Sequence, residues 1–401
     1  MKRQTKLQTS LPMDKFREIR PYRDHEIRPL LDRLIHDPEF LDSITGFYYP
    51  RLVRLAAPLM RALARRKLHR QVQGVHDVAT MHDVIAQYMN KIIRETTTGL
   101  SSSGLDRLAK DRNYLFVCNH RDIAMDPAFV SYLLYYENIP ALQIAIGDNL
   151  LKKPFVSDLM RLNKSFIVQR SLKGRKLLKS LSLLSQYIHH CIDNRENVWI
   201  AQREGRAKDG IDQTDPALLK MLAMGRRDLE LGASLAQLHI VPLAISYEYD
   251  ACDVLKAEER YQIETTGSFN KTDGSDIEAI VAGVTGFKGQ VHVAFGEELD
   301  ISSDDPEHIA QQIDAQIIGN YRLHAVNFIA LELLVKRGLL SPDAVAAVPR
   351  HDPDPDARET FLKRLASVKP KLRPCLLFNY ANPVLSRYAP DALALNPDTA
   401  P

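Results

Sequence analysis

The chain has 401 residues, of which 45% are hydrophobic and 26% charged, as in an ordinary soluble globular protein with one large or two smaller domains. The formal net charge of +3 is too small to argue for nucleic acid as a partner, and four scattered cysteines favour a reducing cytosol without a metal site. No window holds the roughly 18 apolar residues of a transmembrane helix, and no apolar core follows the basic N-terminus as in a secretory signal.

Apolar residues recur at helical spacing from about residue 12 to 100, which predicts an all-helical N-terminal domain over residues 1–100. Residues 51–70 carry seven Lys or Arg and no acidic residue, with leucines along one face and arginines along another. Such a segment can lie on an anionic bilayer, and a helix of the bundle with a solvated basic side explains it equally well. Pro58 predicts a kink or a restart of this helix.

Small and polar residues at 97–104 predict a domain boundary. Beyond it, short apolar runs alternate with helical patterns, which predicts an α/β domain over residues 105–345 with a central mixed, mainly parallel sheet flanked by helices. The predicted strands are 114–118, 143–146, 166–168, 198–201, 240–246 and 291–295. Residues 346–401 are predicted to form a C-terminal extension whose tail, from Pro383, is poorly ordered.

The most informative stretch follows the first predicted strand and reads Asn-His-Arg-Asp-Ile-Ala-Met-Asp-Pro over residues 119–127. His120 is the side chain best suited to move a proton near neutral pH, and a nearby carboxylate can fix its tautomer. Since Pro127 suits the first position of a helix, we expect Asp126 to be the N-cap and to lie outside the helix. The preceding loop can then fold the carboxylate onto the imidazole. Alternatively, Asp126 only caps the helix and His120 is a turn residue.

Two further segments place cations just after predicted strands, where open α/β sheets place their sites. Arg170 follows one strand and can grip an anion with two hydrogen bonds. The next segment contains Arg203, Glu204, Gly205, Arg206 and Lys208. Its glycine lets the backbone approach a ligand closely, and its cations would suit a phosphate. Exposed basic turns are the alternative explanation for both segments.

Two residues inside predicted strands need separate interpretation. Pro242 lies in the run 240–248 and predicts a sheet edge or a bulge. Cys118 precedes His120 by two residues, so the two side chains could share a face and form a nucleophile pair. A cysteine in an apolar strand is more often a small buried hydrophobe, which is the interpretation that we favour.

In their order and spacing, these four segments resemble the glycerolipid acyltransferase superfamily, in which a His/Asp block, a block ending in arginine, a Glu-Gly block and a strand with proline follow one another. Residues 166–176, Glu204-Gly205-Arg206 and Val241-Pro242 look most like the bacterial glycerol-3-phosphate acyltransferase branch. The resemblance covers roughly residues 110–300 and implies that a fatty acyl chain moves from an acyl thioester to a hydroxyl of glycerol-3-phosphate. A lysophosphatidate or other lysophospholipid acceptor is the alternative, and a non-catalytic lipid-binding protein is a third possibility.

The resemblance also implies roles for individual residues. His120 would take the proton from the acceptor hydroxyl while Asp126 orients the imidazole. The acceptor phosphate would be held by Arg170 and Arg206, with Arg203 and Lys208 as lesser candidates, and Glu204 beside Gly205 would bind an acceptor hydroxyl. No metal or bound cofactor is required, because acyl-CoA or acyl-carrier protein enters as a co-substrate. The expected location is cytoplasmic, with peripheral contact at the inner face of the cytoplasmic membrane.

Three positions depart from the family pattern. Five residues rather than four separate His120 from Asp126, which leaves Asp122 open as a nearer carboxylate partner. Lys164 stands where the second block commonly has glycine, and we keep it with Pro242 as a further candidate site residue. Gln202-Arg203 precedes Glu204 where Phe-Pro or Val-Glu is usual.

Overall fold

The computed structural model describes residues 14–48, 50–272 and 274–395. At its centre is a seven-stranded sheet made of β1 (Gly99–Ser103), β2 (Leu115–Cys118), β3 (Leu142–Gly147), β4 (Ser165–Val168), β5 (Asn197–Ala201), β6 (Ile240–Tyr247) and β7 (Gln290–Phe295). The strand order is β1-β7-β6-β2-β5-β3-β4, and every neighbouring pair is parallel except β6 with β7. The predicted mixed, mainly parallel sheet is therefore confirmed.

Helices cover both faces of this sheet. The N-terminal helices are α1 (Asp24–Leu34), α2 (Pro38–Tyr48), α3 (Pro50–Val72) and α4 (Val78–Thr96). Between and after the strands come α5 (Met125–Tyr136), α6 (Pro154–Leu162), α7 (Gly174–Asp193), α8 (Pro216–Ala223), α9 (Leu231–Ala236), α10 (Asp253–Thr266), α11 (Ser275–Thr285) and α12 (Pro306–Asn320). The C-terminal helices are α13 (Ala325–Lys336), α14 (Pro355–Ser367) and α15 (Arg373–Tyr388).

Alternation along the strands assigns side chains to the two faces of the sheet. On β2, Leu115 and Val117 pack with α7, α8, α9 and α12, whereas Phe116 and Cys118 pack with α4 and α5. Both faces are buried because helices cover each of them, which explains why the strands are apolar runs rather than half-polar ones. A separate apolar cluster joins α13, α14 and α15 to Tyr249 and Ala257.

The segment predicted as a boundary contains β1, which pairs in parallel with β7 from Gly99 and Gln290 onwards. This strand lies at the sheet edge and is largely exposed, so it needs no apolar alternation and gives no strand signal in the sequence. The predicted interruption of the basic helix is confirmed, since Ala56 in α3 has non-helical φ and ψ of −147° and 46°, two residues before Pro58.

The sheet-edge interpretation of Pro242 and the poorly ordered tail predicted from Pro383 are both wrong. Pro242 is not at a sheet edge, because β6 lies between β7 and β2. The β6–β7 pairing begins at Leu243, so the missing N–H of Pro242 lies outside this ladder, and its carbonyl accepts from Gly296 N at 2.8 Å. Pro383 does not begin a disordered tail, because it lies buried inside α15; residues 396–401 fall outside the described part of the chain.

Candidate active site

The loop between β2 and α5 brings His120 and Asp126 together. His120 Nδ1 lies 2.8 Å from Asp126 Oδ2, and the carboxylate is fully buried. An ionised carboxylate only accepts hydrogen bonds, so the imidazole donates from Nδ1. Nε2 is then the nitrogen available to a molecule beside the exposed edge of His120, which packs edge-to-face on Trp199. This geometry is that of a general base oriented by a carboxylate.

The expectation that Asp126 is an N-cap outside the helix is wrong. Helix α5 begins at Met125 with Ala124 as its N-cap, so Asp126 lies in the first turn. Its Oδ2 accepts from the backbone N–H groups of Arg121 at 2.6 Å and Asp122 at 2.9 Å. The carboxylate thus folds the loop back on the helix. These hydrogen bonds outweigh the preference of a residue before proline for extended backbone. Pro127 is tolerated because first-turn N–H groups have no partner within the helix.

Asp122 has a different role from Asp126. Its Oδ1 accepts from Ala124 N and Met125 N, both at 2.9 Å, and so caps the start of α5. Burial raises the pKa of the Asp122 carboxyl. The side chain fits against Gly283 of α11, where a Cβ atom would lie 2.0 Å from Asp122 Oδ2. The structure therefore pairs His120 with Asp126 and not with the nearer carboxylate.

Buried polar residues fix this loop to the loop that follows β5. Arg121 Nη2 donates to Asp212 Oδ2 at 2.6 Å and to Gly210 O at 3.2 Å. Asn119 donates to the same carboxylate oxygen at 3.1 Å and exchanges hydrogen bonds with the backbone of Ile245. Ala207 N donates to the carbonyl of His120 at 2.9 Å. The dyad and the cationic segment are consequently held as one unit.

The predicted cations line a cleft of about 520 Å³ that also contains His120. Arg170 Nη1 lies 3.4 Å from Glu204 Oε1, which links the segments after β4 and β5. Arg203 Nη2 donates to Ile211 O at 3.0 Å, and Lys208 pairs with Glu259 of α10 at 2.8 Å. Gly205, at the turn between them, has a φ of 79° that favours glycine. Arg206 has a buried Nη1 without a hydrogen-bond partner among the described residues.

The cleft is also lined by apolar side chains. They come from β3, β5, α7 and α8: Ile144, Ile146, Trp199, Leu177, Leu181, Leu184, Leu218 and Met221. Helices α10 and α11 and residues between them also line the cleft, with Leu255, Glu259, Lys271 and Glu278. One cavity therefore offers cationic groups, an apolar surface and an oriented imidazole.

Three predicted candidates lie elsewhere. Lys164 precedes β4 and pairs at 3.6 Å with Glu196, which precedes β5. Both therefore lie at the amino ends of their strands, whereas His120 follows the carboxyl end of β2. Pro242 is buried in the middle of β6 and does not line the cleft. The Cys118 thiol is also buried away from the cleft, and burial raises its pKa well above the usual range, which argues against a nucleophile.

Sequence reasoning missed the hydrogen-bonding residues that hold the dyad and its loop in place. Tyr247, the last residue of β6, donates its hydroxyl to Asp126 Oδ1 at 2.6 Å across 121 residues of sequence. Asp212 and Asn119 form the buried network described above. No local sequence pattern signals Tyr247, because only the β2–β6 pairing of the folded sheet brings the end of β6 beside the loop after β2.

A family model described as Acyltransferase matches residues 100–246. This stretch runs from β1 almost to the end of β6 and includes His120, Asp126, Arg170 and Arg206. Residues 100–246, which include the oriented histidine, are thus similar to the acyltransferase family.

Among curated proteins, the chain is similar to enzymes named glycerol-3-phosphate acyltransferase. With that of Haemophilus ducreyi it is 24% identical over 296 residues, which is 71% of this chain and 34% of the relative. With that of Pseudomonas fluorescens strain Pf-5 it is 28% identical over 218 residues, or 53% of this chain and 25% of the relative. The aligned regions thus span about a quarter to a third of these relatives' length.

Among solved structures, the chain is similar to the 1-acyl-sn-glycerophosphate (LPA) acyltransferase of Thermotoga maritima. The identity is 15% and the TM-score 0.32, with 72% of this chain and 94% of the other covered. A superposition this loose carries no argument about the present chain.

Proposed function

We propose that this protein is an O-acyltransferase that moves a fatty acyl chain from an acyl thioester to a hydroxyl of glycerol-3-phosphate. The observation that carries the proposal is the His120–Asp126 pair at a cleft lined by both cationic and apolar side chains. Such a cleft suits a phosphate-bearing acceptor together with an acyl chain. The named relatives support the same acceptor.

The proposed reaction uses His120 as the proton carrier. Nε2 takes the proton from the acceptor hydroxyl as its oxygen attacks the thioester carbonyl. When the tetrahedral intermediate collapses, the carbon–sulfur bond breaks and the imidazolium returns the proton to the leaving thiolate. Asp126 stabilises the imidazolium between the two steps. The donor, acyl-CoA or acyl-carrier protein, enters as a co-substrate, and the reaction as written requires no metal or bound cofactor.

Arg206 and Arg170 are the proposed ligands of the acceptor phosphate. The buried, unpartnered Nη1 of Arg206 supports its assignment, because a buried charged donor without an acceptor is costly. Arg170 is already close to Glu204, so a phosphate would compete with this contact and leave the carboxylate for an acceptor hydroxyl. Arg203 and Lys208 remain lesser candidates, since both already have partners.

The direct test is His120→Ala assayed with an acyl thioester and glycerol-3-phosphate. We expect the rate to fall by about 10²- to 10⁴-fold, because the proton carrier is lost while the cleft remains. His25→Ala is the matched control, since His25 is exposed on α1. Undiminished transfer by folded His120→Ala protein would refute the proposed mechanism.

A lysophospholipid acceptor is the runner-up, because it presents the same phosphate and hydroxyl. A panel with glycerol-3-phosphate, lysophosphatidate and a zwitterionic lysophospholipid, each with acyl-CoA and acyl-carrier protein, separates these acceptors and donors. No transfer to any acceptor, combined with lipid binding, would favour the non-catalytic alternative.

Peripheral membrane contact through α3 is part of the proposal. Leu59 and Leu63 are 60% and 52% exposed on this helix, and the cations that follow them are exposed as well: Arg65, Arg66, Lys67 and Arg70. Exposed apolar side chains beside cations suit an anionic bilayer surface. Arg61 instead pairs with Asp42, and the side chains of Arg51 and Arg54 lie outside the described part of the chain. None of the described helices is both long and apolar enough to cross a membrane.

Vesicle sedimentation tests this contact. We expect the protein to sediment with anionic vesicles and much less with neutral ones, and a Leu59→Ser/Leu63→Ser variant to lose most of the binding, since apolar insertion and charge act together. Leu339→Ser, at a 42% exposed leucine outside α3, is the control. Equal binding to both vesicle types, or by all three proteins, would contradict the proposed contact.

A further inference from the structure

The carboxylate of Asp126 receives its hydrogen bonds unevenly. Three donors converge on Oδ2, namely His120 Nδ1 at 2.8 Å and the backbone N–H groups of Arg121 and Asp122. Oδ1 receives one donor among the described residues, the hydroxyl of Tyr247 at 2.6 Å. A carboxylate has about four acceptor sites, two on each oxygen, so Oδ2 is crowded and Oδ1 is not.

The Tyr247 hydroxyl is fixed independently of the loop that carries His120. Tyr247 ends β6, is 5% exposed, and lies beside the Phe129 ring at a centroid distance of 6.1 Å. Its backbone pairs with Val291 of β7, so its position is set by the sheet. Burial and the neighbouring Asp126 charge raise the pKa of Tyr247 well above its usual range, so the hydroxyl keeps its proton and donates.

We propose that Tyr247 is a positioning residue of the dyad, whose hydroxyl holds the carboxylate in the orientation in which Oδ2 meets His120 Nδ1. The final torsion of an aspartate is soft, so the carboxylate can rotate when a partner is lost. Without Tyr247, rotation would relieve the crowding by sharing the backbone donors between both oxygens. It would also spare Oδ1 the cost of a buried acceptor without a donor. The imidazole would then lose its fixed partner.

The test compares Tyr247→Phe with Tyr249→Phe, and it rests on the proposed acyl transfer for its kinetic part. Tyr249 is equally buried, two residues further along the chain, and packs against Phe287 away from the dyad. In Tyr247→Phe we expect kcat to fall roughly tenfold, because a hydrogen bond to a charged group is lost. KM for glycerol-3-phosphate should stay within about twofold, since the cations that line the cleft are untouched. Tyr249→Phe should match the wild type.

A second readout needs no turnover. In protein with ¹⁵N-labelled histidine, the Nδ1 proton of His120 is identified by its loss in His120→Ala. We expect this resonance to shift and exchange faster with water in Tyr247→Phe, and to stay unchanged in Tyr249→Phe. If Tyr247→Phe does not fold, 3-fluorotyrosine placed at position 247 alters the acidity of the hydroxyl and leaves the ring, and the same resonance should shift.

The outcomes separate this inference from the proposed function. An unchanged kcat and an unchanged Nδ1 resonance in folded Tyr247→Phe would overturn the positioning role, as would equal losses in both tyrosine variants. An unshifted resonance in the fluorotyrosine protein would also overturn it. If the wild type transfers no acyl chain, the proposed function fails, while the resonance still decides whether Tyr247 orients the dyad.

Discussion

The two aspartates that follow His120 have different hydrogen-bond partners and therefore different roles. Asp126 receives the imidazole, two backbone N–H groups and a tyrosine hydroxyl. Asp122 caps α5 and lies against Gly283. One carboxylate thus acts on the proposed base, and the other fixes the shape of the loop.

Replacing each aspartate by asparagine should separate these roles. Asp126→Asn is expected to lower kcat by about 10²- to 10⁴-fold, because the amide cannot stabilise the imidazolium and can favour the wrong tautomer. Asp122→Asn should change kcat by less than about tenfold and leave stability nearly unchanged, since an asparagine oxygen accepts the same capping hydrogen bonds. Steady-state kinetics and thermal melting of both variants measure this. A larger kinetic loss in Asp122→Asn would reassign the partner of His120.

At the scale of single residues, the order of residues along the chain was enough to predict which side chains of the candidate site lie close together. Each of the lining groups follows a strand of a parallel sheet: His120, Arg170 and the cations from Arg203 to Lys208. Their convergence at the carboxyl ends of the strands was therefore predictable. Lys164 precedes its strand, so it lies at the amino end of the strands and away from this group. The partnership with Tyr247 depends on which strand neighbours β2, and no local pattern in the sequence carries that information.

At the scale of elements, α15 supports the cationic segment. Asn382 Nδ2 donates to Asp209 O at 2.7 Å. Pro383 has no N–H for the carbonyl of Asn379, and Gly210 packs so closely on this carbonyl that a Cβ atom would lie 2.2 Å from it. Because of the proline, the carbonyl oxygen of Asn379 has no partner within α15 and faces the loop. A residue with a side chain would clash with this oxygen at position 210, so glycine is required there.

Removing the Asn382 hydrogen bond should loosen this loop. In Asn382→Ala we expect KM for glycerol-3-phosphate to rise about fivefold with kcat nearly unchanged, because roughly 1 kcal/mol of support for the segment around Arg206 is lost. Ser386→Ala is the control, since Ser386 lies one turn further along α15 and its hydroxyl has no partner in the described part of the chain. An unchanged KM in Asn382→Ala would contradict this support.

Elements with buried apolar faces were predictable, and elements held by other contacts were not. All six predicted strands are present, because both faces of the sheet are covered and the strands are apolar. Strand β1 was missed because its exposed Ser101, Ser102 and Ser103 give no apolar pattern; the strand is held by its pairing with β7 and by serine hydroxyls that contact His292. The end of α15 was missed because Pro383 suggests a break, whereas packing of Leu376, Leu377 and Val384 keeps the helix together.

At the scale of the whole molecule, the cleft and its support draw on most of the chain. The dyad comes from the β2–α5 loop and the first turn of α5, the cations from the loops after β4 and β5, and further lining residues from α10 and α11. The C-terminal helices then pack on α10, where Arg364 and Tyr380 both bond Asp253. The domain boundaries predicted near residues 100 and 345 stay predictions.

The fit between Asp122 and Gly283 has a consequence for comparing related chains. In the five-residue interval between His120 and Asp126, Asp122 turns inwards, and the space that it enters exists because α11 has no side chain at position 283. Chains that share the longer loop should therefore also share a glycine at the matching turn of that helix, and the two features should be gained and lost together. Searches that require a fixed His-to-Asp interval would overlook such chains, whereas the pair of positions would reveal them.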